Sequence, residues 1–286
     1  MTAHEERLLV IENIKNALAD NDSFRKVELF DPVITDEDVK RVIEPFDTER
    51  RKLKNKILSF FARKIAEKET KKMNILTEVR GIENALSVNG GAIITQNHFN
   101  IMDNTIARLL ALECEKGKDF HIVIQETNAF MKGYFGFLMR NCNTLPVSRS
   151  ASYMAKNLKP TIKKILERDG FILIYPEQEM WFNYKKPRDV RDGAYHYAAE
   201  LGVPIIPTFV TMENTDELGE DGFYKQKYVL NIMHPIYPDK ELSVRENREA
   251  MKAADINAKR LCYEDFYKIK LDNEFIPERD IAGFKA

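Results

Sequence analysis

Residues 91–104 read GAIITQNHFNIMDN and join a strand, a polar turn and the start of a helix. The apolar, β-branched run 92–95 predicts a short buried strand. Residues 96–100 are polar and predict a turn, after which apolar residues return at helical spacing. The pattern therefore predicts that His98 lies at the mouth of a buried strand, with Asp103 five residues further on.

A histidine followed by a carboxylate at this spacing suits acid–base chemistry. Catalytic groups of open α/β sheets collect on loops at the carboxyl ends of strands. We predict that Asp103 orients the imidazole of His98 and stabilises it once protonated, so that the other ring nitrogen acts as a base. The alternative is a surface turn at His98, with Asp103 placed only to favour the helix dipole.

The composition is that of a folded globular protein. The chain has 286 residues, of which 44% are hydrophobic and 31% are charged, which argues against a disordered or fibrous protein. Its three cysteines are far apart and show neither disulfide nor zinc spacing, which suits a reducing cytoplasm. No signal-peptide pattern opens the sequence, and its apolar runs are far shorter than the ~20 residues that span a bilayer. Any membrane contact is therefore expected at the surface.

Residues 1–74 are predicted to form a separate helical segment. A first amphipathic helix is broken at Asp31-Pro32, and Thr35 or Asp36 can cap a second one. Residues 49–72 then hold ten Lys and Arg against three Glu, while apolar residues recur at helical spacing. Such a helix either lies on an anionic membrane surface or packs its apolar stripe on its own domain. The sequence leaves both interpretations open.

Residues 75–286 are predicted to form the catalytic domain. Strand patterns alternate there with amphipathic helices, which predicts an α/β fold with a mostly parallel mixed sheet covered by helices. The predicted strands are 92–95, 120–124, 145–149, 171–175, 203–210 and an edge strand at 228–233, and the clearest helices are 154–168, 192–202 and 243–268. The sequence has no Walker loop and no dinucleotide fingerprint. It also has no Gly-x-Ser-x-Gly elbow, which argues against a serine hydrolase of the α/β-hydrolase type. We predict no metal site and no cofactor.

Further charged residues follow the predicted strands. Arg149 ends a short strand and can present a fixed fork to a phosphate or a carboxylate. Glu177 follows the strand 171–175, where it either binds a ligand group or pairs with a nearby base. A small cationic patch comes next, formed by Lys185, Lys186 and Arg188.

Four segments in this order resemble the glycerolipid acyltransferases with a His-x-x-x-x-Asp motif, the 1-acylglycerol-3-phosphate acyltransferase family. The first block is matched by Asn97, His98 and Asp103, the second by LPVSR at 145–149, the first half of Phe-Pro-Glu-Gly-Thr-Arg by YPE at 175–177, and the fourth by VPIIP at 203–207. The resemblance covers roughly residues 92–210.

Two departures from the family pattern concern the acceptor. Asn100 replaces a small serine, and residues 178–180, Gln-Glu-Met, replace the family's Gly-Thr-Arg. In the family that stretch helps to hold the acceptor's phosphate. Either other cations supply the missing charge, or the acceptor is not a simple lysophosphatidate. The candidates for the missing charge are Arg149, Lys185, Lys186 and Arg188.

The resemblance implies a reaction and a set of partners. A fatty acyl group would move from acyl-CoA or acyl carrier protein to the hydroxyl of a lysophosphatidate-like acceptor in phospholipid synthesis. His98 would act as general base with Asp103, without a covalent intermediate, and backbone amides near the helix start would stabilise the oxyanion. The expected substrate-binding residues are Asn97, Arg149, Glu177, Lys185, Lys186 and Arg188.

The partners implied are an acyl thioester donor, a lysolipid acceptor and an anionic membrane surface, and no nucleic acid. The expected location is the cytoplasm, at the inner face of the membrane. Three alternatives stay open at this point. The same chemistry can act on another lysolipid, a glycolipid or an amine-bearing lipid; water can replace the acceptor, as in a thioesterase; or the protein is a non-catalytic peripheral membrane protein.

Overall fold

A seven-stranded sheet forms the centre of the described part of the chain, residues 1–29 and 32–285 of a computed structural model. The strands are β1 (Glu78–Arg80), β2 (Ala92–Thr95), β3 (Phe120–Gln125), β4 (Thr144–Val147), β5 (Phe171–Ile174), β6 (Ile205–Leu218) and β7 (Tyr224–Ile232). Their order is β1-β7-β6-β2-β5-β3-β4, and β6 and β7 are antiparallel while the other neighbours are parallel. The predicted fold class, an α/β fold with a mostly parallel mixed sheet, is confirmed.

Helices cover both faces of the sheet. They are α1 (Ala3–Ala19), α2 (Asp36–Asp38), α3 (Phe46–Arg51), α4 (Leu53–Met73), α5 (Ile82–Leu86), α6 (Asn104–Glu113), α7 (Gly133–Asn141), α8 (Ala151–Tyr153), α9 (Lys159–Leu166), α10 (Gly193–Leu201), α11 (Val244–Tyr267) and α12 (Pro277–Asp280). Short π-helical turns continue α2 and α8, at Val39–Ile43 and Met154–Leu158. Thr35 caps α2 as predicted, because its side chain accepts a hydrogen bond from the amide of Asp38.

Alternation along the strands builds two cores. Ile94 on β2 faces the layer that contains α6, whereas its neighbour Ile93 faces the layer that contains α9 and α10. Both side chains are fully buried. A strand that is buried on both faces reads as a continuous apolar run, which is why the sequence pattern at 92–95 was clear.

A third, smaller core lies beside the loop that follows β2. Val10 and Ile14 of α1 pack with Trp181, Phe223 and Ile281. The Trp181 amide donates to the carbonyl of His98 at 3.0 Å. The first helix of the chain therefore supports the loop that carries the predicted base. The division of the chain at residue 74 stays a prediction.

One predicted feature differs from the structure, and another falls outside the described residues. The strand predicted as an edge at 228–233 is part of β7, which is flanked by β6 and β1. The edge strand on this side of the sheet is β1, in which Glu78 and Arg80 leave no alternation of apolar residues. Charged side chains are common on edge strands, where they prevent pairing with other chains. Asp31, part of the predicted break at Asp31-Pro32, lies outside the described residues.

Helix α4 leaves its apolar stripe in solvent. Leu53, Ile57, Phe60 and Phe61 are exposed, whereas Ala62 is buried against the domain. Of the two interpretations left open by the sequence, packing of this stripe on the protein's own domain is therefore not what is observed. No helix among the described residues is long and apolar enough to span a membrane.

Candidate active site

The predicted base lies in the middle of the sheet's carboxyl edge. Strand β2 pairs with β5 on one side and β6 on the other, so it is the central strand. His98 follows the end of β2 by three residues, on the loop that leads into α6. Because β3, β4, β5 and β6 run parallel to β2, the residues after those strands gather at the same edge. The motif is thus placed where groups from several strands can converge.

Asp103 fixes both the ring and the turn of this loop. Its Oδ2 accepts the His98 ring Nδ1 at 2.8 Å and the amides of Phe99 and Asn100 at 2.9 and 3.2 Å. Its side chain is buried, whereas the His98 side chain is 21% exposed. Within the described residues, the His98 Nε2 has no hydrogen-bond partner. A proton held on Nδ1 by the carboxylate leaves Nε2 as a lone-pair acceptor that faces outward, the arrangement of a general base.

Tyr175 is a member of the site that the sequence pattern did not single out. Its ring stacks on the imidazole of His98, with centroids 4.0 Å apart and an interplanar angle of 17°. Its hydroxyl donates to Asp103 Oδ1 at 2.6 Å. Burial, and then the charge of Asp103, raise the pKa of Tyr175 well above its ordinary value, so the phenol remains a donor. The signal in the sequence was the tyrosine itself, at a position where the family pattern has phenylalanine.

Glu177 forms a buried ion pair with the basic residue Arg188 and does not point into solvent. Its Oε2 accepts the His98 amide at 3.1 Å and Arg188 Nη2 at 2.9 Å, and its Oε1 accepts the Arg188 amide at 3.2 Å. Both side chains are buried. Arg188 also donates to the Ser23 carbonyl and stacks over the Trp181 ring. The pair ties the loop after β5 to the loop of His98.

Two other predicted site residues are also enclosed by protein. Asn97 exchanges two hydrogen bonds with the backbone of Val210, at 3.0 and 2.8 Å, and so anchors the loop on β6. Lys186 is 3% exposed and lies 2.7 Å from Asp272 and 3.2 Å from Asp280. The substrate-binding roles predicted for Asn97, Lys186, Arg188 and Glu177 stay predictions, and their geometry favours a positioning role.

The remaining predicted cations are more accessible. Lys185 is partly buried, with its Nζ 5.3 Å from the centre of the Tyr267 ring, and burial lowers the pKa of this lysine. Arg149 is half exposed and binds Glu126 at 2.7 Å and Asp36 at 3.2 Å. Three strand spacings, about 14 Å, separate β4 from β2. Arg149 therefore shares the edge with His98 but does not contact it.

Three backbone amides near the start of the helix already have hydrogen-bond partners. Those of Phe99 and Asn100 bind Asp103, and that of Met102 donates to Asn100 Oδ1 at 3.0 Å. The asparagine that replaces the family's serine thus closes a local turn, and α6 begins at Asn104 rather than at residue 101. No group of His, Cys, Asp and Glu in the described part of the chain is arranged to hold a metal ion.

Comparison with known proteins gives the class to which this site belongs. Residues 76–211 match the family model described as Acyltransferase. Among solved structures, the chain is similar to the 1-acyl-sn-glycerophosphate (LPA) acyltransferase PlsC from Thermotoga maritima, with 18% sequence identity and a TM-score of 0.48, over 80% of this chain and 89% of that chain. No curated protein matches the chain.

The matched region contains β2, the loop of His98 and the strands on both sides of it. Residues 76–211 therefore match the family that the resemblance in the sequence indicated. The protein is an enzyme of the acyltransferase class, whose substrates are in general an acyl donor and an acceptor.

Proposed function

We propose that the protein moves a fatty acyl group from acyl-CoA or acyl carrier protein to the hydroxyl of a lysophosphatidate-like acceptor, in phospholipid synthesis. The observation that carries the proposal is the hydrogen bond of 2.8 Å between His98 Nδ1 and Asp103, which leaves Nε2 free to accept a proton. The matched acyltransferase domain supports the reaction class.

The residues of the site support a direct transfer. His98 Nε2 takes the proton of the acceptor hydroxyl as the oxygen attacks the thioester carbonyl. The resulting tetrahedral adduct expels the thiolate, which receives the proton back from the imidazolium held by Asp103. A thioester is already an activated acyl group, so no nucleophile of the protein is required. Glu177 and Asn97 hold the loop, which keeps the base in position for attack.

Arg149 is the residue that would bind the negatively charged phosphate of the acceptor. An acceptor phosphate that binds there has to displace the carboxylate of Glu126, or share the guanidinium with it. Since residues 178–180 differ from the family pattern, the same chemistry on another lysolipid, a glycolipid or an amine-bearing lipid is the second candidate. Arg149 would then serve mainly to hold Asp36 on the edge of the sheet.

We also propose that α4 seats the enzyme on an anionic membrane surface at the inner face, on the cytoplasmic side. Its exposed apolar stripe and the ten basic residues of 49–72 support this location. Both lysolipid acceptor and diacyl product reside in such a surface.

An acyl-transfer assay tests the proposal directly. Purified wild type, His98→Ala and the matched control His196→Ala are incubated with palmitoyl-CoA, lysophosphatidate and anionic vesicles, and lipid products are resolved by mass. His196 is half exposed on α10 and pairs only weakly, with Glu200 at 3.6 Å. We expect phosphatidate from wild type and control, and at least a ~100-fold lower rate from His98→Ala.

Each other outcome has a defined meaning. Equal rates for wild type and His98→Ala would reject the histidine as the base. Thioester consumption that depends on His98 without phosphatidate would indicate hydrolysis or another acceptor. If no thioester is consumed, with either palmitoyl-CoA or acyl carrier protein donors and with any lysolipid, the result would favour a non-catalytic peripheral membrane protein.

A further inference from the structure

A cleft lies beneath α4 at the amino ends of β3 and β4, on the sheet edge opposite to His98. It consists of two adjoining cavities of about 650 and 520 Å³. Arg63, His121, Asn143 and Arg168 line both of them, so the two cavities lie side by side. His121 is the second residue of β3 and Asn143 precedes β4, which places the cleft outside the proposed active site.

The walls of this cleft carry a large excess of positive charge. Nine basic side chains line it against four acidic ones. The basic residues are Arg50, Arg51, Lys56, Arg63, Lys64, Arg108, Lys118, Lys164 and Arg168. Only Lys64 and Arg168 form an ion pair with a carboxylate of the described chain, with Glu67 and Asp119. The other seven have no carboxylate partner in the described chain, although Arg50 donates instead to the carbonyls of Arg140 and Thr144.

Arg108 shows that the charge is more than a solvated surface. Its side chain is 4% exposed, so water does not solvate it fully. Its contacts are a weak bond from Nη2 to the Cys142 sulfur at 3.5 Å and the face of the Phe120 ring at 5.0 Å. Buried arginines are normally paired with an anion, because an unpaired buried charge is costly. Since Arg108 lines the larger cavity, an anion there would supply the missing partner.

Neighbouring groups fit the same ligand. Arg63 reaches across to Asn143, with 3.5 Å between Nη1 and Oδ1, and so faces the cavity. The pKa of His121 is lowered to about 4 by burial and by the positive charge of Arg50, Arg168 and Arg108. The ring is therefore neutral near pH 7, and its Nδ1 donates to the Asp119 carbonyl at 3.2 Å. One guanidinium group can donate two parallel hydrogen bonds to a phosphate group. A cleft lined by several arginines therefore suits a phosphate.

We propose that this cleft is a second ligand site, separate from His98, that binds a phosphate group. Two ligands of such an enzyme's surroundings carry one: an anionic phospholipid, whose headgroup would enter beside the exposed Phe60 of α4, and the adenosine 3′,5′-bisphosphate half of coenzyme A. The proposal concerns binding and does not depend on the role of His98.

Two probes applied to the whole protein distinguish the sources. Calorimetric titration with adenosine 3′,5′-bisphosphate reports on a nucleotide, and flotation with phosphatidylglycerol or phosphatidylcholine vesicles at 0.15 M salt reports on a headgroup. The double variant Lys118→Gln/Arg168→Gln removes two positive charges from the wall of the cleft that faces α4. The sequence of α4 itself is unchanged. Arg245→Gln on α11 combined with Lys268→Gln just after it is the matched control for lost surface charge, and Arg108→Met tests the buried group.

We expect wild type to bind one of the two probes, and the cleft double variant to bind it at least tenfold more weakly, while the α11 control stays within twofold. Arg108→Met is expected to show the same loss, and the double variant keeps the test valid if Arg108→Met does not fold. Failure of wild type to bind either probe would overturn the proposal. An equal loss in the cleft variant and the control would overturn it too, since it would show unspecific attraction.

Discussion

At the scale of residues, the site is organised by the carboxylate of Asp103, whose two oxygens accept four hydrogen bonds. Three reach Oδ2, from His98, Phe99 and Asn100, and one reaches Oδ1, from Tyr175. Each donor withdraws negative charge from the carboxylate. The tyrosine hydroxyl therefore weakens the attraction between Asp103 and a protonated His98, which matters because the ring has to be neutral to act as a base.

The variant Tyr175→Phe tests this effect. The phenyl ring retains the stacking on His98 but leaves Asp103 with more charge toward the imidazole, which favours the protonated ring. We expect the acid limb of the pH dependence of kcat/KM to move to higher pH, with the rate at high pH nearly unchanged. The measurement is the acyl-transfer rate between pH 5 and 9.

Tyr228→Phe is the matched control for this variant. Tyr228 packs on Phe99, at 5.5 Å between ring centres, and donates no hydrogen bond to Asp103 within the described residues. Loss of its hydroxyl is expected to leave the acid limb in place. A limb that stays in place in Tyr175→Phe, or moves equally in both variants, would show that the bond to Asp103 does not tune the base.

The sequence predicted the main pair of this site and missed how it is held. His98 and Asp103 are five residues apart, so a local turn brings them together. Arg188 reaches Glu177 only because the chain between them folds back, and no spacing rule expresses that. Gln178 adopts a left-handed conformation, with φ of 64°, at the position where the family pattern has glycine. This position therefore has a backbone conformation that glycine adopts most easily.

At the scale of elements, α4 joins the two sheet edges. Its last residues lie near the loop of His98, where Asn74 donates to Thr105 at 3.0 Å, and its middle covers the basic cleft. Its outward stripe includes Ile57 and Phe61, exposed at 51% and 55%. On the surface of a folded protein, such contiguous apolar groups indicate an interaction with another surface.

The double variant Ile57→Ala/Phe61→Ala tests whether that surface is a membrane. Each side chain removed forfeits roughly 1 kcal/mol of apolar burial, about 2 kcal/mol in total, which corresponds to about 30-fold weaker binding. Flotation with phosphatidylglycerol vesicles measures the loss. Phe60 is left intact because it lines the cleft.

Ile256→Ala/Leu261→Ala on α11 is the control, since these side chains are exposed at 42% and 49%. It is expected to bind vesicles as wild type does. Equal binding of the α4 variant and wild type would reject α4 as the membrane contact.

The sequence predicted strands well where burial on both faces determines the pattern of apolar residues. The runs at 92–95, 120–124 and 171–175 are short, mainly apolar and near the observed β2, β3 and β5, because strands covered on both faces consist mostly of apolar residues. The sequence did not predict the full length of a strand where pairing with another strand determines it. Strand β6 continues to Leu218, eight residues past the apolar run, because the hairpin with β7 supplies hydrogen bonds that the sequence does not display.

At the scale of the whole molecule, the end of the chain is tied to the loop beyond Glu177. The amide of Lys185 donates to Asp280 and that of Ala282 donates to Asn183, both at 2.9 Å. Lys186 Nζ sits between Asp272 and Asp280, and also donates to the Glu274 carbonyl at 2.5 Å. This arrangement connects the small core at α1 with the site, so a change far from His98 can alter the stability of the loop.

The variant Lys186→Met tests the role of this buried ammonium. Methionine retains most of the stem but leaves the fully buried Asp280 without it. Removing one partner of a buried ion pair costs about 3 kcal/mol or more. Urea denaturation is expected to show that loss in the free energy of unfolding, while the acyl-transfer rate of the folded variant stays near that of wild type.

Lys225→Met is the control, because Lys225 pairs with Glu217 on the exposed hairpin of β6 and β7. Surface pairs contribute under about 1 kcal/mol, so its unfolding curve is expected to match that of wild type. A Lys186→Met protein of unchanged stability that binds the acceptor more weakly would support the substrate contact predicted from the sequence and reject the clamp. A loss of stability with an unchanged acceptor KM would assign Lys186 to the fold, because a buried ammonium held by three oxygen partners has no free donor for a substrate phosphate.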